Sequence, residues 1–295
     1  MSTFSYPAFK AKIDSDLICD FKCPSCGSAL QAGSGSAEKT YSCDNNHCFD
    51  MAKEGYLNLH LAQHKRSRNP GDSDEMIRSR QRFLNAGHYQ DLAEALTDAI
   101  KQNGRDHRLL DIGCGEGYYL AEIHKTWPEL QLVGLDISKT AVRLAAKRKL
   151  NAQLAVDSGF NMALFDNSVD TAISVFSPIS AGETSRVLKP EGQLIMVGPG
   201  AQHLSGLTAH IYDQSTAHGG NYQVLDNSSE FSLLTETTIE KDICVEGSAI
   251  ADLLHMTPYY WHAKPQQQKY LAELDQLETK IQFTLRVYSN RAGRP

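Results

Sequence analysis

The run Leu109-Leu110-Asp111-Ile112-Gly113-Cys114-Gly115-Glu116-Gly117-Tyr118-Tyr119, followed at strand length by Val133-Gly134-Leu135-Asp136-Ile137, constrains this chain more than any other feature. A short apolar strand leads into a glycine-rich turn, a helix-compatible stretch follows, and a second apolar strand ends on an acid. In a dinucleotide fingerprint the glycines run G-x-G-x-x-G, and the second lets the backbone approach a pyrophosphate. Here they run G-x-G-x-G, with Asp111 two residues before the first glycine. An acidic mouth suits S-adenosylmethionine (SAM), which carries an ammonium, a sulfonium and no phosphate. A glycine turn in any parallel α/β sheet is the plainer alternative, and an acid on each side of the helix speaks against it.

Cysteine usage supplies the second constraint. Five of the seven cysteines (Cys19, Cys23, Cys26, Cys43, Cys48) fall within the first 48 of 295 residues. An odd count argues against a disulfide framework, and local clustering in a reducing compartment points to metal. Cys23-Pro24-Ser25-Cys26 and Cys43-Asp44-Asn45-Asn46-His47 give the spacing C-x2-C-x16-C-x3-H. Two knuckles of this kind offer four ligands at tetrahedral corners, which is the donor set of a structural zinc. Such a zinc replaces the core that a short segment cannot build. Cys48 adjoins His47, so either could be the fourth ligand, with Cys19 a remoter choice; spacing favours His47. A redox C-x-x-C would leave Cys43 and His47 unexplained.

Net charge is −6, which taken alone disfavours a polyanionic partner. Its distribution softens that objection. Residues 1–108 hold 14 Lys/Arg and 14 Asp/Glu, whereas residues 109–295 hold 15 and 21, so the acidic excess lies wholly in the second part. Over residues 62–82, Lys65, Arg66, Arg68, Arg78, Arg80 and Arg82 face only Asp72, Asp74 and Glu75. A basic stripe can meet phosphates within an acidic protein, or can simply be a solvated linker and helix face. The chain has no apolar run long enough for a membrane span and no secretory leader pattern at its start, so the expected location is cytoplasmic.

The pattern divides the chain into a tail (1–17), a zinc-binding domain (18–60), a basic linker and helix (61–88) and a SAM-dependent methyltransferase domain (89–295). Ser73 or Asp74 can cap a helix carrying Met76, Ile77, Phe83 and Leu84; Leu92, Leu96 and Ile100 mark the next one. Strands are expected over 130–135, 153–156, 169–176 and 194–197, a helix over 140–149, and a helix end and turn over 187–193. Residues 237–245 and 281–288 read as a late antiparallel pair. The expected fold is α/β: a Rossmann-like class I methyltransferase sheet of seven mostly parallel strands, with a small zinc-ribbon-like domain at its N-terminal side.

Ligands of such sheets sit at the carboxyl ends of the strands, which lines up Asp111, Asp136, Asp157 and Ser177-Pro178 on one rim. Gly113, Gly115 and Gly117 allow a tight turn against the methionine part of the cofactor. Asp136 can accept from both ribose hydroxyls. Asp157 can accept from the adenine amine, or serve as a loop acid. Ser177-Pro178 marks the place of the incoming nucleophile; methyl transfer from an activated donor needs mainly alignment.

The chain resembles the RlmA-type 23S rRNA guanine-N1 methyltransferases over residues 18–290. The resemblance rests on the zinc pattern, on Phe49-Asp50-Met51-Ala52-Lys53-Glu54-Gly55-Tyr56, on His64-Lys65-Arg66-Ser67-Arg68-Asn69-Pro70-Gly71-Asp72-Ser73, on Phe83-Leu84-Asn85-Ala86-Gly87-His88-Tyr89, on the SAM turn, and on Met256-Thr257-Pro258. It implies methylation of guanine N1 in helix 35 of 23S rRNA, a homodimer, zinc on Cys23, Cys26, Cys43 and His47, and cofactor contacts from Tyr89, Tyr119, Leu120 and His203. From the residues alone Tyr89 and His203 read as packing. An extruded guanine needs a stacking partner, for which Tyr118, Phe176 and Trp261 are candidates, and its N1 proton needs an acceptor, for which Asp72 in the Pro-Gly-Asp-Ser turn is the candidate and His88 another. A methyltransferase of small molecules or proteins carrying a structural zinc, and a non-catalytic RNA-binding scaffold, are the competing readings.

Overall fold

The structure, a computed structural model, describes residues 21–34, 39–64, 70–101, 108–213 and 220–291. The tail, Cys19, and the basic residues Lys65, Arg66 and Arg68 lie outside them.

Three short strands, β1 (Gln31–Ala32), β2 (Thr40–Ser42) and β3 (Cys48–Asp50), form an antiparallel sheet carrying Tyr41 and Phe49. After β4 (Tyr56–Asn58) come α1 (Asp74–Asn85) and α2 (Gln90–Lys101). Ser73 caps α1, its Oγ accepting from the amide of Met76 at 3.2 Å, the kind of contact worth about 1 kcal/mol. Leu92, Leu96 and Ile100 turn inward from α2, as their spacing requires.

The main unit alternates strand and helix: β5 (Arg108–Ile112), α3 (Tyr118–Thr126), β6 (Gln131–Asp136), α4 (Lys139–Lys147), β7 (Ala152–Val156), β8 (Val169–Val175), α5 (Ala181–Val187) and β9 (Leu188–Pro199). The chain ends on β10 (Phe231–Glu246), α8 (Ser248–His255) and β11 (Gln276–Asn290), with the short helices α6 (Ser205–Thr208) and α7 (Gln223–Asp226) before β10 and α9 (Tyr259–His262) and α10 (Pro265–Ala272) after α8. The sheet order is β10-β11-β9-β8-β5-β6-β7-β4. All pairings from β9 to β4 are parallel; β11 pairs antiparallel with β9 and β10. The chain runs outward from β5 through β6 to β7, then returns to β8 on the other side of β5. That reversal opens a crevice at the carboxyl ends of β5 and β8.

The sheet thus has eight strands rather than the expected seven. The extra one is β4, which pairs with β7 from Tyr56↔Leu154 to Asn58↔Val156. Its residues lie in the segment assigned to the zinc module, and both Tyr56 and Leu57 are buried. A three-residue strand alternates too briefly to show a period; only its partner defines it. The helix end expected at the start of 187–193 is present, α5 stopping at Val187, but the turn after it is strand: β9 already begins at Leu188, which pairs with Val169 before a bulge re-registers the two strands.

Burial on both faces explains the sheet's stability. Leu109, Leu110, Ile112, Val133 and Leu135 are each at most 1% exposed, and each such side chain contributes about 1.5–3 kcal/mol. Phe21, Leu30, Cys23 and Cys43 join the same cluster as Leu57, Leu110 and Leu164. The zinc module is therefore packed on the sheet rather than tethered to it. The amide of Lys22 donates to Ala163 O at 2.9 Å.

Candidate functional site

Two turns build the metal site. The amide of Gly27 donates to Cys23 O at 2.8 Å, and that of Asn46 to Cys43 O at 2.9 Å; Gly27 (φ 77°) and Asn46 (φ 59°) take the left-handed conformation that closes each knuckle. Glycine and asparagine are the residues that tolerate it best. The Sγ atoms of Cys23, Cys26 and Cys43 and a ring nitrogen of His47 lie within 4.8 Å of one another. His47 Nδ1 is 3.5 Å from Cys23 Sγ and 3.4 Å from Cys43 Sγ, and the sulfurs of Cys26 and Cys43 are 3.6 Å apart. Tetrahedral zinc with its usual bond lengths has edges of about 3.8 Å between sulfurs and about 3.5 Å between sulfur and nitrogen. The donor set fits zinc in type and in size. Cys48 Sγ instead faces Asn46 O at 3.6 Å and stands apart from this group.

The second site lies where β5 and β6 end. Gly113 takes φ 79°, and a Cβ there would lie 2.0 Å from Ser177 Oγ, so only glycine lets the turn close against the end of β8. Gly115 (φ 56°) faces the open cleft instead, with Arg80 Nη1 3.8 Å from where its Cβ would stand. Its amide donates to Asp136 Oδ2 at 3.0 Å, while Ser138 N donates to Oδ1 at 2.7 Å. Each carboxylate oxygen keeps a lone pair for a hydroxyl. Asp111 is 1% exposed and its Oδ2 has no hydrogen-bond partner among the described residues. Burial, then the charges of Asp136 and Glu116, push its carboxyl well above the usual range. Burial also raises Asp136, and the nearby charge of Asp72 adds to the rise.

An orphaned buried carboxyl oxygen beside a second raised carboxyl is costly unless a cation meets them. SAM, with two positive centres and a diol, fits this donor set. Glycine-turn residue Glu116 is balanced within the protein: Arg148 at the end of α4 reaches it at 3.4 Å and donates through Nε to its carbonyl at 2.7 Å.

The remaining sequence candidates fall into three groups. Tyr119 and Leu120 are buried at the start of α3, where Tyr118 packs edge-on against Tyr119 and Leu120 packs where a Cβ of Gly134 would clash. Tyr89 and His203 come together across the cleft: Tyr89 Oη is 3.3 Å from His203 Nε2, and Gln282 N donates to His203 Nδ1 at 3.2 Å. An Nδ1 that accepts leaves the proton on Nε2, which donates to Tyr89. Burial pushes His203 down to about 4, so the imidazole stays neutral. Phe283 packs against both rings.

Asp157 directly follows β7 with its oxygens taken by the amides of Ser158 (2.8 Å) and Ala163 (2.7 Å), and burial lifts it to about 7. Those bonds suit the loop-acid reading named beside the adenine contact. Asp72 forms an ion pair with Arg80, a residue the sequence marked only as part of a basic stripe. Arg82 is also paired, bidentate to Asp252 on α8. Of the proposed stacking aromatics, Tyr118 is buried, whereas Phe176 (44% exposed) and Trp261 (67%) face solvent. His88 stacks on Phe83 at 4.2 Å between ring centres.

Comparison with known proteins agrees with this geometry. A family model described as RlmA, N-terminal, matches residues 21–68, and one described as a methyltransferase domain matches residues 103–276. A Micromonospora griseorubida protein carrying the name of a 23S rRNA (guanine-N(1)-)-methyltransferase is 31% identical over 85% of this chain and 90% of its own length. The 23S rRNA (guanine(748)-N(1))-methyltransferase of Streptomyces fradiae is 29% identical over 86% of this chain and 90% of its own. A Bacillus subtilis protein, similarly named, is 27% identical over 88% and 94%. With a zinc ribbon of three cysteines and one histidine packed on a SAM-dependent methyltransferase sheet, the chain belongs to the RlmA-type family of 23S rRNA (guanine-N1-)-methyltransferases.

Proposed function

We propose that this protein transfers a methyl group from SAM to N1 of a guanine in 23S rRNA, at helix 35, acting as a homodimer in the cytoplasm. The observation that carries the reading is the union in one packed body of the metal-knuckle module with a cleft whose unpartnered acid Asp111 suits a cationic methyl donor. The names of the relatives supply the base and the RNA.

Bound SAM supplies a methyl carbon activated by its sulfonium. The protein's residues then hold and orient. Asp136, its oxygens fixed by Gly115 N and Ser138 N, would accept from the ribose hydroxyls. Asp111 would meet a positive centre of the cofactor, and Gly113, Gly115 and Gly117 would leave room for its methionine chain. Tyr89, fixed by neutral His203, would wall the cofactor cleft together with Tyr119 and Leu120, and Asp157 braces the loop that follows β7 through the amides of Ser158 and Ala163. At the acceptor, guanine N1 would give up its proton so that its electron pair is free to take the methyl group that bound SAM would supply, the donor's sulfur keeping the carbon–sulfur pair. Asp72, held by Arg80, takes that proton in this scheme.

Incubation of the protein with unmodified 23S rRNA and methyl-labelled SAM, followed by nuclease mapping and mass spectrometry of nucleosides, tests the proposal. N1-methylguanosine in helix 35 is the expected product. Label elsewhere, or none despite SAM binding, would overturn the substrate assignment. An Asp72→Asn variant with an undiminished single-turnover rate would remove Asp72 from the proton step, and a monomer in sedimentation would remove the dimer.

A further inference from the structure

The end of β8 presents a ring that neither the cofactor pocket nor the core accounts for. Phe176 is 44% exposed and takes φ 57°. A bulky residue at positive φ is a backbone outlier, held only where its surroundings dictate it. They do so here. Phe176 N donates to Val197 O at 3.0 Å, and Ser174 Oγ donates to Ser177 O at 2.9 Å, pinning the chain on both sides of the ring. Ser177 in turn fills the space that a side chain at Gly113 would need.

Phe176 therefore stands beside the glycine turn, within one residue of the contact that closes it. Its ring meets His203 at 5.9 Å, inclined at 33°, and Phe283 at 5.8 Å, edge-on at 69°. His203 and Phe283 also meet each other at 4.9 Å. The ring is thus braced along one side by two aromatic neighbours and open to solvent on the other. Exposed apolar rings found singly are ordinary on a protein surface. One held in a left-handed backbone at the carboxyl end of a central strand, at the rim where the acceptor must arrive, is not.

We infer that Phe176 is the platform on which the target guanine stacks, positioning N1 for attack on the methyl carbon. This rests on the proposed guanine acceptor. An unpaired base has two π faces and is held by aromatic stacking without regard to its edge, which stays free to react. A base whose N1 must react has to leave its pair first, and a ring already supported on its far side offers it a rigid surface.

The test compares Phe176→Leu, Phe176→Ala, Phe176→Tyr and Phe176→Trp with wild type in single-turnover methylation of unmodified 23S rRNA, alongside calorimetric binding of S-adenosylhomocysteine. The aromatic variants are expected within about threefold of wild type, and the leucine and alanine variants at least tenfold slower, all four binding S-adenosylhomocysteine within about twofold. Retention of full rate by Phe176→Leu would overturn the inference, since leucine fills the space but cannot stack. Loss of S-adenosylhomocysteine binding in parallel with rate would also overturn it, making Phe176 a wall of the cofactor pocket. A wild-type protein that methylates no guanine in this RNA would instead overturn the proposed function, and the platform with it.

Discussion

Asp111 and Asp136 place two carboxyls, both raised by burial, at the ends of adjacent strands, and among the described residues no group hydrogen-bonds to Asp111's open oxygen. A carboxyl whose pKa is higher in the folded than in the unfolded chain favours folding at low pH, and that contribution disappears as pH rises through the folded value. A bound cation lowers those values again, so SAM binding must release protons, and its affinity must rise with pH until the carboxyls are ionised in the free protein. Each proton released allows up to about tenfold tighter binding per pH unit. Calorimetric titrations between pH 5 and 8, in buffers of different ionisation enthalpy, are expected to show this release for SAM and less of it for S-adenosylhomocysteine, which lacks the sulfonium. Enthalpies independent of buffer would mean that the acids are already charged when the cofactor arrives. His203 adds nothing in this window, because burial has pushed its pKa down to about 4. The two acids were visible in the sequence because each lies at the carboxyl end of an apolar strand two residues from a glycine. The Tyr89–His203 pair was not, since its members are 114 residues apart and only the folded sheet joins them.

At the scale of elements, local chemistry was the legible part. Ser73 and Ser138 cap α1 and α4 as their side chains allow, and the glycine turn links β5 to α3. The late antiparallel pair is real and longer than its apolar cores, running to Gln276–Asn290 opposite Phe231–Glu246. What the pattern could not show was pairing at a distance: β4 against β7, or Arg80 over Gly115. Those contacts carry a consequence for the zinc module. Because Phe21 and Leu30 are buried with Leu57 and Leu164, the metal holds more than its own knuckles. Removal of zinc by a chelator, or Cys43→Ser, is expected to release about one zinc per chain and to lower the melting temperature by about 5 °C or more. Loss of protection from hydrogen exchange should extend beyond residues 21–50 into Tyr56–Asn58. Exchange confined to the knuckles, with β4 unaffected, would show that the strand is held by β7 alone.

For the whole molecule the open question is electrostatic: how a chain of net charge −6 approaches a polyanion. The acid excess belongs to residues 109–295, where Asp111, Asp136 and Glu116 cluster around the glycine turn. In the preceding part, Arg80 and Arg82 spend their charge on Asp72 and Asp252 inside the fold. Two of the six basic residues of the stripe are thereby committed to structure, which shifts the burden of phosphate contact to Lys65, Arg66 and Arg68, with Arg78 exposed on α1. Phosphate contacts position an RNA and release counterions; they do not choose the base. Replacing Lys65, Arg66 and Arg68 together by alanine is therefore expected to weaken RNA binding most at low salt. The slope of log affinity against log salt should fall by about 2 if all three meet phosphates of an unpaired strand. S-adenosylhomocysteine binding should be unchanged, and the methylation rate at saturating RNA should largely return, since alignment at the cleft does not depend on these charges. An unchanged slope would place the RNA on another face. A rate that stays low at saturating RNA would mean that the run shapes the cleft itself, and that the basic segment and the chemistry at Gly113–Gly117 work as one surface.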